Sequence, residues 1–276
     1  MTSVPADTSI AKPVANPRAK SVWRKRENFI LGAVAVACFM IFWEASVALG
    51  WAKALFVSSP SRIVKALVAM IADGSIWNHL AVSGMEFGIG YTLAVIVGIP
   101  LGILMGWYRR LNAVLDPFVS ALYATPRIAL VPLIIIWFGV DLASKIAIIF
   151  LSTVFPILVS TITGVRTIDR DFIKVARSFG ASDRQLFMTV ALPSSVPMLL
   201  TGLRLGLGHA LIGIVVGEMI GAQAGIGYMM SLAGATFQTD KVMVGLVIIA
   251  GSGMLLTEVL RMIERRYESW RVDTRH

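Results

Sequence analysis

Residues 169–193 read Asp169-Arg-Asp-Phe-Ile-Lys-Val-Ala-Arg-Ser-Phe-Gly180-Ala-Ser-Asp-Arg-Gln-Leu-Phe-Met-Thr-Val-Ala-Leu-Pro193. The stretch is charged and polar, yet patterned. Phe172, Ile173, Ala176 and Phe179 recur at helical spacing and form one apolar stripe. Gly180 follows the last of them, where a helix favours a left-handed residue. Ser182 or Asp183 can cap a second short helix. That helix carries Leu186, Phe187 and Val190 on one face, and Pro193 is expected to stop it. The pattern predicts two short amphipathic helices joined by a tight bend outside a membrane. The alternative on periodicity alone is a loop with incidental helical character.

The rest of the chain is too apolar for water. Of 276 residues, 57% are hydrophobic and 15% charged, against roughly 45–50% and about 25% in soluble domains. The excess must face lipid. One cysteine, Cys38, leaves no intrachain disulfide and no cysteine metal cluster. It reads as a small buried hydrophobe.

Residues 1–28 hold Pro5, Pro13, Pro17 and several basic residues without apolar periodicity, and read as a disordered tail. Phe29–Gly50 is apolar except for Glu44. It is too long for the apolar core of a signal peptide and reads as a retained helix. Five further spans are expected at 85–107, 118–140, 146–165, 196–220 and 242–260, by the criterion of about 20 apolar residues. Ile63, Ala66, Leu67 and Met70 predict an interfacial helix ahead of them. The domain plan is a tail at 1–28, a membrane domain at 29–265 with a coupling loop at 166–195, and a second tail at 266–276.

Lys and Arg set the orientation. Eighteen of the 25 lie in the N-terminal tail, the 108–117 loop, the 166–195 loop and the C-terminus. Five lie in the alternate segments, Lys145 among them, and Arg127 and Arg204 fall within spans. This asymmetry places both termini and the 169–193 stretch in the cytoplasm. It also explains the net charge of +9 without nucleic acid.

Glycines recur every fourth residue at Gly98, Gly102 and Gly106, at Gly202 and Gly206, and at Gly213, Gly217 and Gly221. Small residues let helix backbones approach in lipid, either inside one subunit or across a dimer interface. Pro100, Pro126, Pro132 and Pro156 can kink their spans. Arg127, Arg204, His209 and Glu218 lie inside spans, where ionisable groups must face protein or water. They are the candidates for a translocation path. Internal pairing is the competing reading, and the better one for Arg204, Glu218 and Glu44. No phosphate-binding Gly-x-x-x-x-Gly-Lys-Ser/Thr loop occurs. No zincin or nucleophile-elbow motif occurs either. His79, His209 and His276 are too scattered to argue a metal site.

The 169–193 stretch resembles the cytoplasmic loop signature of importer-type ABC transporter permeases: Glu-Ala-Ala, three residues, Gly, nine residues, Ile-x-Leu-Pro. Ala176, Gly180, Leu192 and Pro193 match, Val175 and Val190 are near matches, and Lys174 stands where the family has Glu. Pro126–Gly139 and Gly202-Leu-Arg204 resemble the branch that serves nitrate, sulfonates and taurine. The resemblance covers roughly 55–265. It implies an all-α polytopic permease of about six transmembrane helices in a bacterial inner membrane. It implies a homodimer, a separate ATP-binding cassette ATPase docked on Phe172, Ile173, Phe179 and the motif residues, and a periplasmic or lipid-anchored substrate-binding protein. No cofactor or metal and no ATPase site of its own is expected. The alternative is a secondary transporter or membrane enzyme acting without an ATPase.

Overall fold

A computed structural model describes the backbone of residues 17–168 and 170–267, and the side chains of 27–168 and 171–265. These residues are helical almost throughout, and they divide into two units, 1–60 and 61–276.

The first unit contains α1 (Pro17–Ala48) and the single turn α2 (Ala54–Val57). Helix α1 begins inside the segment expected to be a tail. Pro suits the first helical turn, and the Arg, Lys, Ala and Glu that follow are good helix formers, so charge does not stop the helix there. The rest of that tail, 1–16, lies outside the described residues, as does 268–276 at the other end. Trp43 donates to the Ser58 carbonyl at 3.1 Å, and Ser59 donates to Glu44 at 3.1 Å. Glu44 is thus paired within its own unit.

The second unit begins one residue into α3 (Pro60–Ala72). Ile63 and Met70 are buried and Ala66 and Leu67 half-buried, so the expected stripe faces protein. There follow α4 (Ser75–Trp107), α5 (Arg109–Ala124), a 3-10 turn (Arg127–Leu130), α6 (Val131–Phe138) and α7 (Leu142–Arg166). After them come α8 (Arg170–Ser178), α9 (Asp183–Leu186), a π turn (Phe187–Ala191), α10 (Leu192–Met219), α11 (Ile226–Ala235) and α12 (Thr239–Tyr267).

Helix α7 is the core, packed between α4 and α10. Glycines make both approaches. A Cβ on Gly90, Gly102 or Gly106 of α4 would meet Ile149, Thr161 or Val165 of α7 at 2.7, 2.6 and 2.6 Å. The paired numbers rise together, so α4 and α7 run parallel. On the other side Gly202 meets Ser160, Gly206 meets Ile157 and Gly213 meets Ser152, in falling order, so α10 runs antiparallel to α7. Of the two roles open to these glycines, packing inside one subunit accounts for Gly98, Gly102, Gly106, Gly202, Gly206 and Gly213.

Three boundaries differ from expectation. Among the described residues five helices are long and apolar enough to cross a membrane, or six if α5 and the α6 segment form one span. The 118–140 span is therefore not continuous: its two parts meet at 91°. Thr125 is extended ahead of Pro126 (φ −69°, ψ 130°), the conformation a proline imposes on its predecessor. Helix α4 starts at Ser75, because the polar Asn78, His79 and Ser83 are carried within it. Pro193 does not stop the chain, since Asp183–Met219 runs on as one span. The π turn immediately ahead puts Pro193 in the first turn of α10, where its missing N–H matters least.

Candidate functional site

Helix α8 ends as its sequence predicts. Gly180 has φ +78°, its N–H donates to the Arg177 carbonyl at 2.9 Å, and Ala181 N–H donates to the Ala176 carbonyl at 3.1 Å. This is a full Schellman closure. Of the two candidate caps, Ser182 takes the role. Its hydroxyl accepts from Gln185 N–H at 3.3 Å, and the Gln185 side chain accepts from Ser182 N–H at 2.9 Å. The bend between the helices is therefore fixed by backbone geometry and a capping box.

The apolar stripe divides in two. Ile173 and Ala176 turn inward, Ile173 against a cluster of Val165, Ile168 and Ala191 that also takes in Trp107, Phe187 and Val190. The Phe187 ring meets Trp107 edge-on at 5.3 Å. Phe172, Val175 and Phe179 stay exposed, at 49%, 55% and 86%. Leu192 and Pro193 are half-buried where α10 begins. The pair of helices is thus anchored to the ends of α4 and α7 and presents a separate row of bare apolar side chains. Lys174 pairs with Asp171 at 2.8 Å on the surface.

At the opposite end of α4, α7 and α10 lies a buried polar cluster. Ser83 donates to Glu218 at 2.5 Å and accepts from Ile226 N–H at 2.8 Å. Gly227 N–H donates to Glu218 at 2.6 Å, and Gly225 N–H donates to His79 at 3.1 Å. The open N-terminus of α11 is therefore satisfied by side chains of α4 and α10. Glu86 stands beside Glu218 and 3.4 Å from Lys145. Glu86 and Glu218 are each 1% exposed and Lys145 8%. Lys145, counted as a loop charge from sequence, lies inside α7; its pairing with Glu86 draws it in. Sequence reasoning passed over Glu86. The available signal was one acid and one base in separate apolar runs, at matching distances from the same end of two helices.

The four path candidates separate. Arg204 pairs with Glu264 of α12, and Glu218 belongs to the cluster just described. Arg127, on the 3-10 turn, is near enough to the half-buried His209 for its charge to act there. Its guanidinium lies over the Tyr123 ring at 5.1 Å and donates to the Tyr123 carbonyl at 3.2 Å, while its Nε is buried without a hydrogen-bond partner.

This arrangement has relatives. Residues 98–269 match the family described as binding-protein-dependent transport system inner membrane component. A Bacillus subtilis (strain 168) protein named as the aliphatic sulfonates transport permease SsuC is 35% identical, with 98% of each chain covered. The taurine transport system permease protein TauC of Escherichia coli (strain K12) is 34% identical over 92% of this chain and 94% of its own. In fold, the chain is similar to one in a crystal structure of an amino acid ABC transporter with histidines. There the TM-score is 0.57 at 16% identity, covering 72% of this chain and 97% of the other. The chain belongs to the binding-protein-dependent transport system inner membrane components, the permease family of ABC importers.

Proposed function

We propose that this chain carries a small anionic solute of the nitrate, sulfonate or taurine kind through an ABC importer, driven by ATP hydrolysis on a separate subunit. The observation that carries the reading is Arg127. A guanidinium held at a break in a membrane span, with a buried Nε left unpaired and its charge reaching His209, is suited to an oxyanion. An intramembrane cation of this kind marks a solute path by default. The end-to-end similarity to permeases named for aliphatic sulfonates and taurine supports the same solute class.

The exposed row Phe172, Val175 and Phe179 receives the ATPase. The anchored side of the same helices, Ile173 and Phe187, passes its displacement to α4 and α7. Two copies form the pathway. A substrate-binding protein delivers solute at the far end, near the N-terminus of α11. The excess of Lys and Arg at the α8–α9 end and in both terminal segments sets that end, and both termini, in the cytoplasm of the bacterial inner membrane. The test is reconstitution in liposomes with the ATPase and the binding protein. ATP-dependent accumulation of taurine or an alkanesulfonate is expected. Uptake driven by an ion gradient with no ATPase present would overturn the reading.

A further inference from the structure

Two buried carboxyls meet in the polar cluster, one from α4 and one from α10. We infer that Glu86 and Glu218 bind one proton between them, and that this shared proton fastens the start of α11 to α4 and α10.

The carboxyls of Glu86 and Glu218 are each 1% exposed and hydrogen-bond to each other. An ionised carboxylate only accepts, so a hydrogen bond between two of them requires a proton on one. The other contacts leave the same gap. Glu218 Oε1 receives the Ser83 hydroxyl and its Oε2 receives Gly227 N–H. Glu86 Oε1 faces Lys145 Nζ at 3.4 Å, and the buried Glu86 Oε2 receives no other donor. The pair is one donor short, and a proton is that donor.

Charge gives the same count. Among the described residues Lys145 is the one base whose charge acts on the pair. It balances one carboxylate. A second, touching the first and out of water, would be an uncompensated like charge. One shared proton makes the group neutral. The neighbouring titratable groups do not alter this. His79 accepts Gly225 N–H at Nδ1, so that nitrogen carries no proton, and its ring neighbours Tyr228 at 6.2 Å. Asp141, ahead of α7, is exposed and adds no positive charge. Arg62 is engaged by Asp240 of α12, and the charge of Lys241 acts on Asp73.

The same groups hold α11. Gly227 N–H ends on Glu218, and Ile226 N–H ends on Ser83, which itself donates to Glu218. Loss of the proton leaves two carboxylates in contact. Their repulsion is relieved by parting α4 from α10, which draws Ser83 and Glu218 away from each other beneath α11. The released proton passes to water in the cavity of about 230 Å³ that Glu86, Asp141 and Lys145 line. A proton bound in the fastened state and released in the loosened one makes the fastening weaker as pH rises.

The test reads the proton and the fastening separately, on the full chain in nanodiscs. Infrared spectroscopy at about pH 7.5 is expected to show the band of a buried un-ionised carboxyl, at a pH where exposed Asp and Glu, ordinarily near 4, are ionised. The band should shift in D2O and be absent in Glu86→Gln, whose amide donates to Glu218 and accepts from Lys145 with no proton to lose. Hydrogen exchange then follows the Ile226 and Gly227 amides. Their protection, corrected for the intrinsic rate, should fall about tenfold between about pH 7.5 and about pH 9.5 in the unaltered chain and stay level in Glu86→Gln. That range lies above the ordinary histidine value near 6.5 and below the ordinary lysine value near 10.4. Absence of the band, or a band that survives Glu86→Gln, overturns the shared proton. A band with protection that falls alike in both proteins overturns its role at α11. If Glu86→Gln does not fold, the unaltered chain decides: band and protection must be lost over the same pH range, and loss of one without the other overturns the proposal.

Discussion

Gly225 lies directly over the carboxyl of Glu218: a Cβ placed on it would fall 2.3 Å from Glu218 Cδ. Its φ of +117° is equally closed to other residues. Gly225→Ala must therefore push the start of α11 off Glu218. The expected loss is about 1–3 kcal/mol from overpacking, with added backbone strain, read as a lower thermal unfolding temperature in detergent. Gly234→Ala in the same helix meets open space and is expected to be neutral or slightly stabilising. Equal behaviour of the two variants would mean that the Glu218 contact does not hold α11.

Ser182 and Gln223 lie beyond opposite ends of the α10 span and are both exposed. In a Cys38→Ser background, a cysteine at Gln223 should react with an impermeant thiol reagent applied to intact cells. A cysteine at Ser182 should react only after the membrane is opened. The reverse pattern would invert the proposed orientation.

Gly180 has room for a side chain but not the backbone angle for one. Gly180→Val should cost roughly 1–2 kcal/mol or more at this bend. It is expected to insert normally, recover little ATPase on co-purification and transport poorly. Gly180→Asn should retain both functions, because Asn tolerates the left-handed region. Lys174→Glu breaks only an exposed pair with Asp171, which contributes roughly 0–1 kcal/mol, and it should be tolerated. Normal ATPase recovery and uptake with Gly180→Val would remove the bend from the coupling step.

Arg127→Gln keeps a polar side chain but deletes the charge that reaches His209. Hydrogen bonds to charged groups are worth about 1.5–3 kcal/mol, so solute uptake should fall about ten- to a hundredfold while assembly stays intact. His209→Leu is expected to lower uptake in the same direction. Unchanged uptake with reduced thermal stability would make both residues packing elements.

Local chemistry was legible in the sequence, and distant packing was not. Gly180 announces its role because a helix end is decided within a few residues, and of the two caps the sequence allows, Ser182 and Asp183, the structure selects Ser182. Pro193 misleads because a proline is a stop only if the preceding turn stays α-helical, and here it widens into a π turn. Pro126 reads as a place where the 118–140 run can kink, and the structure bends there; what composition summed over a window hides is the size of the bend, 91°, set at the single dipeptide Thr125-Pro126. Glu86 and Lys145 are far apart in sequence. Only the parallel seating of α4 on α7, set where Gly90 meets Ile149, brings their ends level.

The glycine notches on both sides of α7 also decide where this molecule can bend. Branched side chains seated that closely cannot slide past one another without opening the interface, so α4, α7 and the middle of α10 travel as one block. The freedom to change shape then falls to the joints around the block. These are Thr125–Pro126 in the broken span, Gly139 ahead of α7, and Gly221 and Gly225 on either side of the turn into α11, all three glycines at positive φ. A transport cycle built on this chain is therefore a matter of hinges at the rim and a stiff centre.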